Sequence, residues 1–356
     1  MVSVDRFEQQ ARDCLPPPVF DYFAGGASDE RTLRENRAAW EAVAVKGGLG
    51  VAVAEVDCSV ELLGQRCSAP IVLAPVAAQR LVHPDGEVAS ARAAAQAGLI
   101  YCLSTRSTAD LAEVADAAPG RRWFQLYVHR DRERVARMLE RASQAGYERV
   151  VLTADLPAAG RRERDLRHDL LDLPEGVAVA THLGDPETGR QKPASGGWDP
   201  SLTWTDMAWM LEHAGVPVIV KGVLTAEDAR LAGEHGAEAV VVSNHGGRQL
   251  DGVLPTAVAL ADLAQPVPER PVVMVDGGVR RGVDVYRALA LGARAVMIGR
   301  PYVWALSAGG EEGVRALLDG LMAELRAVMA SAGCRTIEEI AGKCGPPRAP
   351  LTKSGD

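Results

Sequence analysis

The sequence predicts an α/β fold: a (β/α)8 barrel of the TIM type with an N-terminal helical prefix and a long loop after the fourth strand. Two observations lead to this prediction. From about residue 70 onward, eight apolar runs of strand length alternate with longer segments of helical periodicity. Glycine-rich segments, VDGGVRRG and IGRP, follow the seventh and the eighth run, and the corresponding loops of TIM barrels often bind phosphate.

Several of the predicted strands are apolar along their whole length, which is typical of parallel strands that are covered on both faces. The eight strands are Ile71–Ala74, Ile100–Leu103, Trp123–Val128, Val150–Thr153, Val218–Lys221, Ala239–Ser243, Val272–Val275 and Ala295–Ile298. Eight βα units over roughly 250 residues can close into a barrel with no edge strand. The alternative is a doubly wound open sheet, and the two glycine-rich loops at the end of the series favour the barrel.

The remaining segments complete one domain over residues 1–356. Residues 1–69 are predicted as the helical prefix and barrel base, with helices Phe7–Leu15 and Thr32–Trp40 and then a short β-like stretch. Residues 70–333 form the barrel. The irregular segment 155–202 is long for a structureless connection and is predicted to be mobile or to act as a lid. Residues 345–356 are predicted to be a flexible tail.

Composition narrows the possible functions. The 356 residues are 47% hydrophobic and 24% charged, as in an ordinary soluble globular protein. A net charge of −8 argues against a nucleic-acid or membrane-binding surface. The six cysteines include no C-x-x-C pair, so the sequence predicts neither a metal site nor a disulfide framework. The N-terminus lacks the apolar stretch of a signal peptide, and we therefore expect a cytoplasmic protein.

Polar residues and glycines cluster where the predicted strands end. Barrel active sites lie at the carboxyl-terminal ends of the strands, so these residues are expected to converge. In strand order they are Pro75, Val76 and Ala77; Ser104; Gln125 and Tyr127; Thr153, Asp155 and Arg162; Lys221; Ser243, His245 and Arg248; Asp276; and Gly299 and Arg300.

Some of these residues could instead have a purely structural role. Lys221 could be a surface lysine, but its strand is predicted to be buried, which favours a functional role. Arg162 and Arg248 could each pair with a surface carboxylate, yet two arginines at one barrel mouth would form a clamp for a small carboxylate. Asp155 could cap a turn, whereas next to His245 it would orient the imidazole ring. His245, between a strand and two glycines, is predicted to be functional.

These segments resemble the family of FMN-dependent 2-hydroxy acid oxidases and dehydrogenases. The most specific match is SNHGGRQLDG at residues 243–252. The resemblance covers nearly the whole chain and includes DYFAGGASDE (21–30), LAPVAAQRLVHPDGE (73–87), WFQLYV (123–128), LTADLPAAGRRERD (152–165), VKGVLTAEDA (220–229), VDGGVRRGVDV (275–285) and IGRP (298–301). It implies a (β/α)8 barrel that uses FMN to oxidise a 2-hydroxy acid.

The resemblance also implies a role for each residue. His245 is the base, taking a proton from the substrate hydroxyl or, on the carbanion scheme, from the α-carbon, and Asp155 stabilises the imidazolium. The carboxylate binds to Arg162 and Arg248, with Tyr22 and Tyr127 donating hydrogen bonds. Lys221 stabilises the anionic reduced flavin. The remaining cofactor contacts are Pro75, Val76, Ala77, Ser104, Gln125, Thr153 and Ser243 at the flavin ring, and Asp276, Gly278, Arg280, Gly299 and Arg300 at the ribityl chain and phosphate.

Three residues depart from the pattern of plant glycolate oxidase. Val76 stands where that enzyme has threonine, Ala159 where it has leucine and Arg106 where it has tryptophan over the substrate. A buried arginine without a partner is costly, so Arg106 is expected either to point to solvent or to bind a polar or anionic group of the substrate. We therefore include Arg106 among the substrate-binding residues and hypothesise a second polar group on the substrate.

The last expectations concern the electron acceptor, the oligomeric state and possible functions outside the family. In this family, the residue at the position of Ala77 has been linked to the choice of electron acceptor. An alanine rather than a glycine there favours an oxidase that uses O2 and releases hydrogen peroxide. The alternative is a dehydrogenase that reduces a quinone or another acceptor. Relatives are commonly homotetramers. Outside the family, Lys221 could form a Schiff base in an aldolase or decarboxylase barrel, or the barrel could bind a flavin or phosphate without catalysis.

Overall fold

The computed structural model describes residues 3–168, 179–180, 198–263 and 271–347, and the chain begins there with three helices. These are α1 (Val4–Cys14), α2 (Pro17–Ala24) and α3 (Arg31–Glu41). Ser3 caps α1 by accepting a hydrogen bond from the Arg6 N–H, and Pro17 starts α2 at a position where no N–H donor is needed. The two predicted helices match α1 and α3, whereas α2 was not predicted.

Three short strands follow the prefix helices: β1 (Val43–Val45), β2 (Val60–Leu62) and β3 (Gln65–Cys67). β2 and β3 form a hairpin whose turn residues, Leu63 and Gly64, have φ of 50° and 73°, as a two-residue type I′ turn requires. The Leu63 carbonyl accepts a hydrogen bond of 2.6 Å from Arg149, the first residue of a barrel strand. The hairpin therefore lies at the base of the barrel, where the β-like stretch was expected.

The barrel consists of eight parallel strands, and all eight were predicted. They are β4 (Ile71–Leu73), β5 (Ile100–Ser104), β6 (Arg122–Leu126), β7 (Arg149–Thr153), β8 (Val218–Val223), β9 (Ala239–Val242), β10 (Val272–Val275) and β11 (Ala295–Ile298). Their order in the closed sheet follows the chain, and β11 pairs with β4. This closure confirms the barrel and excludes the doubly wound open sheet. Four of the five residues of β6 and every residue of β9 are buried, because helices cover the outside while side chains fill the interior.

Helices follow the barrel strands along the chain. They are α4 (Gly86–Gln96), α5 (Leu111–Ala117), α6 (Arg132–Gln144), α7 (Glu163–Arg167), α8 (Asp206–Ala214), α9 (Ala226–Glu234), α10 (Thr256–Leu263), α11 (Gly282–Ala290) and α12 (Arg300–Ser331). α12 bends at Gly309 and Gly310, whose backbone angles are not helical. None of the described helices combines the length and the apolar character that a bilayer crossing requires.

The prefix reaches the carboxyl-terminal end of the barrel as well as its base. Asn36 in α3 exchanges two side-chain hydrogen bonds of 2.8 Å with Asn244, which follows β9. The Trp40 indole donates to the Gly277 carbonyl after β10 at 2.7 Å. α3 therefore fixes the loops that follow these two strands.

The long loop after β7 begins with an ion-pair cluster. Arg164 in α7 contacts Asp21 at 3.1 Å and Glu30 at 2.6 Å, and His168 lies 2.9 Å from Asp21. These contacts hold the start of the loop against the prefix. Residues 169–178 and 181–197 lie outside the described residues, so the lid remains a prediction.

The C-terminal prediction needs a correction. β12 (Cys344–Pro347) pairs antiparallel with β1, with Pro347 opposite Val43. Residues 345–347 are thus a strand rather than a flexible tail, since proline is tolerated in an edge strand where its missing N–H faces no partner. The rest of the predicted tail, residues 348–356, lies outside the described residues.

Candidate active site

A cleft opens at the carboxyl-terminal ends of the barrel strands, with about 1240 Å³ of empty space including the part open to solvent. All but three of the residues that the sequence predicts for the site line this cleft. They are Tyr22, Pro75, Val76, Ala77, Ser104, Arg106, Tyr127, Thr153, Arg162, Lys221, His245, Arg248, Asp276, Gly278, Arg280, Gly299 and Arg300. The strand ends thus bring together residues that are far apart in the sequence.

The other three predicted residues support those that line the cleft. Gln125 accepts a hydrogen bond from Ser104 at 3.1 Å and donates one to Thr153 at 3.0 Å. Ser243 accepts from the Lys221 ammonium at 2.8 Å. Asp155 lies 3.0 Å from His245. Their polar groups are directed at neighbouring side chains, which they orient.

His245 occupies a backbone position that few side chains adopt. Its φ is 57°, in the left-handed region, and its N–H donates to the Ser243 hydroxyl at 3.0 Å. Nδ1 lies 3.0 Å from Asp155 Oδ1, and Nε2 lies 3.3 Å from the Tyr127 hydroxyl. A carboxylate only accepts hydrogen bonds, so Nδ1 carries the hydrogen and Nε2 of the neutral ring keeps its lone pair. The ring is therefore oriented to act as a base through Nε2.

Asp155 is ionised beside this ring. Burial alone would raise the pKa of the Asp155 carboxyl, but the charge and hydrogen bond of His245 and the charge of Lys221 outweigh burial and lower it. Asp155 therefore places a negative charge 3.0 Å from Nδ1 and fixes the orientation of the ring.

Tyr127 remains a hydrogen-bond donor. Burial, together with the charge of Asp155, raises the pKa of the Tyr127 hydroxyl to about 12. The ring also packs against Trp198, with the ring centroids 5.1 Å apart. Tyr127 can thus donate its hydrogen to His245 or to a ligand oxygen at any pH at which the protein works.

Lys221 is buried at the end of β8, with 4% of its surface exposed. Its ammonium lies 3.0 Å from Asp276 Oδ2. Burial alone would lower the pKa of Lys221, but the charges of Asp276 and Asp155 outweigh burial and raise it. Lys221 is therefore a fixed positive charge rather than a neutral amine.

Two arginines and Tyr22 form the other wall of the cleft. Arg248 donates to the Tyr22 and Gly25 carbonyls, both at 2.8 Å, and lies 5.3 Å from the Tyr22 ring centroid. Burial and the nearby charge of Arg162 lower the pKa of Arg248 to about 10. Arg162 pairs with Asp165 at 2.7 Å. Since the carbonyl partners of Arg248 are neutral, a ligand carboxylate that enters the cleft would be stabilised by its charge.

The far end of the cleft fits the phosphate of FMN. Gly277 and Gly278 both have φ of 86°, and a Cβ on Gly278 would lie 2.5 Å from the Asn36 carbonyl oxygen. Arg280 lines the cleft, its pKa is lowered by burial, and its Nε has no hydrogen-bond partner among the described residues. Gly299 leads directly into the N-terminus of α12, which binds anions favourably. A buried cation and a helix N-terminus are donors that a phosphate needs.

Arg300 has a role that sequence reasoning did not predict. It lines the cleft, but its guanidinium donates to the carbonyls of Phe23 (2.8 Å), Gly25 (2.8 Å) and Gly246 (2.9 Å). These bonds connect α12, the end of α2 and the glycines after His245. Arg300 therefore braces the backbone around the base in addition to facing the predicted phosphate end.

Several residues of the cleft were missed by sequence reasoning. They include Phe23, Leu156, Trp198 and Gln249. Gln249 donates to the Asp155 and Ala158 carbonyls at 3.0 and 3.1 Å, which ties the His245 loop to the loop after β7. Trp198 is an aromatic residue in an otherwise polar segment. This contrast is the one sequence signal that could have indicated a place for Trp198 in the cleft.

Comparisons with known proteins agree with this geometry. The model of a family described as FMN-dependent dehydrogenase matches residues 11–345. The chain is 44% identical to glycolate oxidase 3 of Arabidopsis thaliana and to glycolate oxidase of Spinacia oleracea, in both cases over 96% of this chain and 94% of the relative. Among solved structures, a mandelate oxidase variant with (S)-mandelic acid superimposes with a TM-score of 0.90 at 42% identity, covering 97% of this chain and 98% of that one. The chain therefore belongs to the FMN-dependent dehydrogenase family, and FMN is its cofactor.

Proposed function

We propose that this protein oxidises a 2-hydroxy acid to the 2-oxo acid and transfers the electrons to O2, which leaves as hydrogen peroxide. One 2-hydroxy acid and one O2 give one 2-oxo acid and one H2O2, so atoms and electrons balance. The observation that carries the proposal is the pairing of His245 Nδ1 with Asp155 at 3.0 Å beside two cleft arginines. A base and a carboxylate site in one cleft are what this oxidation requires.

The chain's own residues orient the substrate and move the proton. Arg248 and Arg162 bind the carboxylate, which brings the neighbouring hydroxyl-bearing carbon to Tyr127 and His245. Nε2 of His245 takes the proton from the hydroxyl or, on the carbanion alternative, from the carbon. Asp155 stabilises the imidazolium that forms. FMN, when bound, accepts the two electrons of the oxidation and passes them on.

Lys221 and Ala77, which follows β4, influence the chemistry of the cofactor. Lys221 keeps a positive charge in the cleft through its 3.0 Å contact with Asp276, and such a charge favours an electron-rich flavin. Ala77 lines the cleft after β4, and a residue larger than glycine at this point supports O2 as the acceptor. The names of the curated relatives, which are glycolate oxidases, support the same acceptor.

The geometry disfavours both rival functions. A Schiff-base lysine must be neutral to attack a carbonyl, whereas the neighbouring carboxylates raise the pKa of Lys221. A barrel that only binds a flavin or phosphate has no need of a base held by a carboxylate in a left-handed backbone position.

The experiment that tests the proposal uses the purified holoenzyme without oxygen. A panel of aliphatic, aromatic and dicarboxylic 2-hydroxy acids is added, and loss of the flavin absorbance identifies substrates. Air is then admitted; rapid recovery of the absorbance with stoichiometric H2O2 supports the oxidase. Slow recovery that a quinone accelerates would instead assign the dehydrogenase alternative, and a flavin that no 2-hydroxy acid reduces would reject the proposal.

Two further expectations are proposals about the whole protein. A cytoplasmic location is in keeping with six cysteines that form no disulfide. A homotetramer is proposed from the resemblance to the family, and light scattering on the purified protein tests it. A monomer at micromolar concentration would contradict that assembly.

A further inference from the structure

Arg106 is held inside the cleft by the backbone around it. Its N–H donates to the Ser104 hydroxyl at 3.1 Å, and its carbonyl accepts from the Ala78 N–H at 3.1 Å. The side chain lines the cleft, and only 8% of the residue surface is exposed. The solvent-directed orientation considered for this arginine is therefore excluded.

The surroundings of Arg106 are those of the substrate site. Burial lowers the pKa of its guanidinium, and the nearby charge of Arg162 adds to this effect; the hydroxyls of Tyr22 and Tyr127 also lie close. Tyr22, Tyr127 and Arg162 line the same cleft as His245, and Arg162 binds the carboxylate in the proposed function. Arg106 thus faces the same ligand, while the carboxylate next to the reacting carbon already has Arg162 and Arg248.

The cleft thus brings a third guanidinium, that of Arg106, to those of Arg162 and Arg248. Arg162 has Asp165 at 2.7 Å, and the hydrogen-bond acceptors of Arg248 are neutral carbonyls. A guanidinium has five N–H donors, so Arg106 can bind a second ligand anion while it keeps its other contacts within the protein.

We infer that the substrate is a 2-hydroxy dicarboxylate whose distal carboxylate binds to Arg106. The inference rests on the proposed function, because the carboxylate at the reacting end must be bound by Arg162 and Arg248. Ala159, also in the cleft wall, carries only a methyl group as its side chain. A charge-assisted contact to arginine distinguishes an anion from an apolar group of the same length.

The test compares (S)-2-hydroxyglutarate with (S)-2-hydroxypentanoate, which has the same carbon chain without the distal carboxylate. For the wild-type holoenzyme we expect kcat/KM to be at least about tenfold higher with the dicarboxylate. In Arg106→Gln this preference should fall about 10- to 100-fold, mainly through KM, because the distal carboxylate takes no part in the proton transfer.

Arg161→Gln is the matched control. Arg161 adjoins Arg162, but its side chain is 71% exposed and does not line the cleft. Its removal changes the net charge equally and should leave the preference unchanged. An equal loss of preference in both variants would show a long-range charge effect and overturn the role of Arg106.

The remaining outcomes separate this inference from the proposed function. If the wild type prefers 2-hydroxypentanoate, or if Arg106→Gln keeps the wild-type preference, the dicarboxylate is rejected while 2-hydroxy acid oxidation stands. If no 2-hydroxy acid of any class reduces the flavin, the proposed function itself is rejected. Flavin content and the melting temperature of each variant identify a loss of folding.

Discussion

Asp155→Asn removes one charge from the catalytic pair while it keeps the size of the side chain. Asp155 Oδ1 lies 3.0 Å from His245 Nδ1, and both side chains are largely buried. Two unit charges about 4 Å apart at an effective dielectric constant near 20 attract each other by about 4 kcal/mol. Since about 1.4 kcal/mol corresponds to a factor of ten in rate, we expect substrate oxidation to slow about 10³-fold.

The assay is anaerobic stopped-flow reduction of the flavin by the best substrate of the panel. The limiting rate should fall, whereas the affinity for a 2-oxo acid product should change little, because the carboxylate is bound by arginines on the opposite wall. The lowered pKa of Asp155 means that its charge also stabilises the fold at neutral pH, so flavin content and melting temperature are measured beside the rate. The folded variant therefore isolates the effect of the charge.

Asp206→Asn provides a matched control. Asp206 accepts a hydrogen bond of 3.1 Å from Arg132 at the start of α8 and does not line the cleft. The same substitution there should leave the reduction rate within about twofold of the wild type. If Asp155→Asn retains FMN and still reduces it within about fivefold of the wild-type rate, the assignment of His245 and Asp155 as base and stabiliser is wrong.

Three other predictions concern the supports of the site. In Gly222→Ala, the new Cβ would lie 2.6 Å from Asp155 Cβ at a φ of 111°, so flavin reduction should slow about 10- to 100-fold with FMN retained; an unchanged rate would contradict the proposed positioning. In Lys221→Met, Asp276 is left buried without its cation, and urea unfolding of the FMN-free protein should show a loss of about 3 kcal/mol, whereas equal stability would show that the pair contributes nothing. Arg164 pairs with Asp21 and Glu30. Burial raises the pKa of both carboxyls, but hydrogen bonds and nearby charges outweigh burial and hold the two pKa values below the ordinary 3.8 and 4.5. These carboxylates therefore stabilise the fold above about pH 4.5 and lose this effect as the pH falls through their folded pKa values. Arg164→Met should thus lower the unfolding free energy by about 1 kcal/mol at pH 7 and by less at pH 3, and a loss that is constant with pH would refute this.

The barrel could be predicted because its signal is local. Each strand is a short apolar run buried on both faces, as in β9 (Ala239–Val242), and a helical segment follows each run. The catalytic pair followed from the same reasoning, since His245 and Asp155 each come directly after a strand and strand ends converge in a barrel. Their contact needed no knowledge of the loops.

Contacts that depend on the path of a loop or on the backbone could not be predicted in this way. Trp198 packs on Tyr127, although the two residues lie far apart in the sequence. Arg300 resembles a phosphate ligand in sequence, but three of its hydrogen bonds go to carbonyls that only the folded chain brings together. β12 contains Cys344, Gly345 and two prolines, a composition typical of a tail, and becomes a strand because β1 offers it an edge.

The arginines of the cleft explain why a protein with net charge −8 can recognise anions. Burial lowers the pKa of Arg106, Arg248 and Arg280, which means that the folded protein holds each of these charges at a cost. The barrel can bear that cost because its core is formed by the strands and helices, away from the strand ends. An anion that enters the cleft removes part of the cost, so binding is strongest where a ligand places negative charge against these guanidinium groups. Selectivity for small anions therefore arises from the buried cations of the cleft rather than from the overall charge.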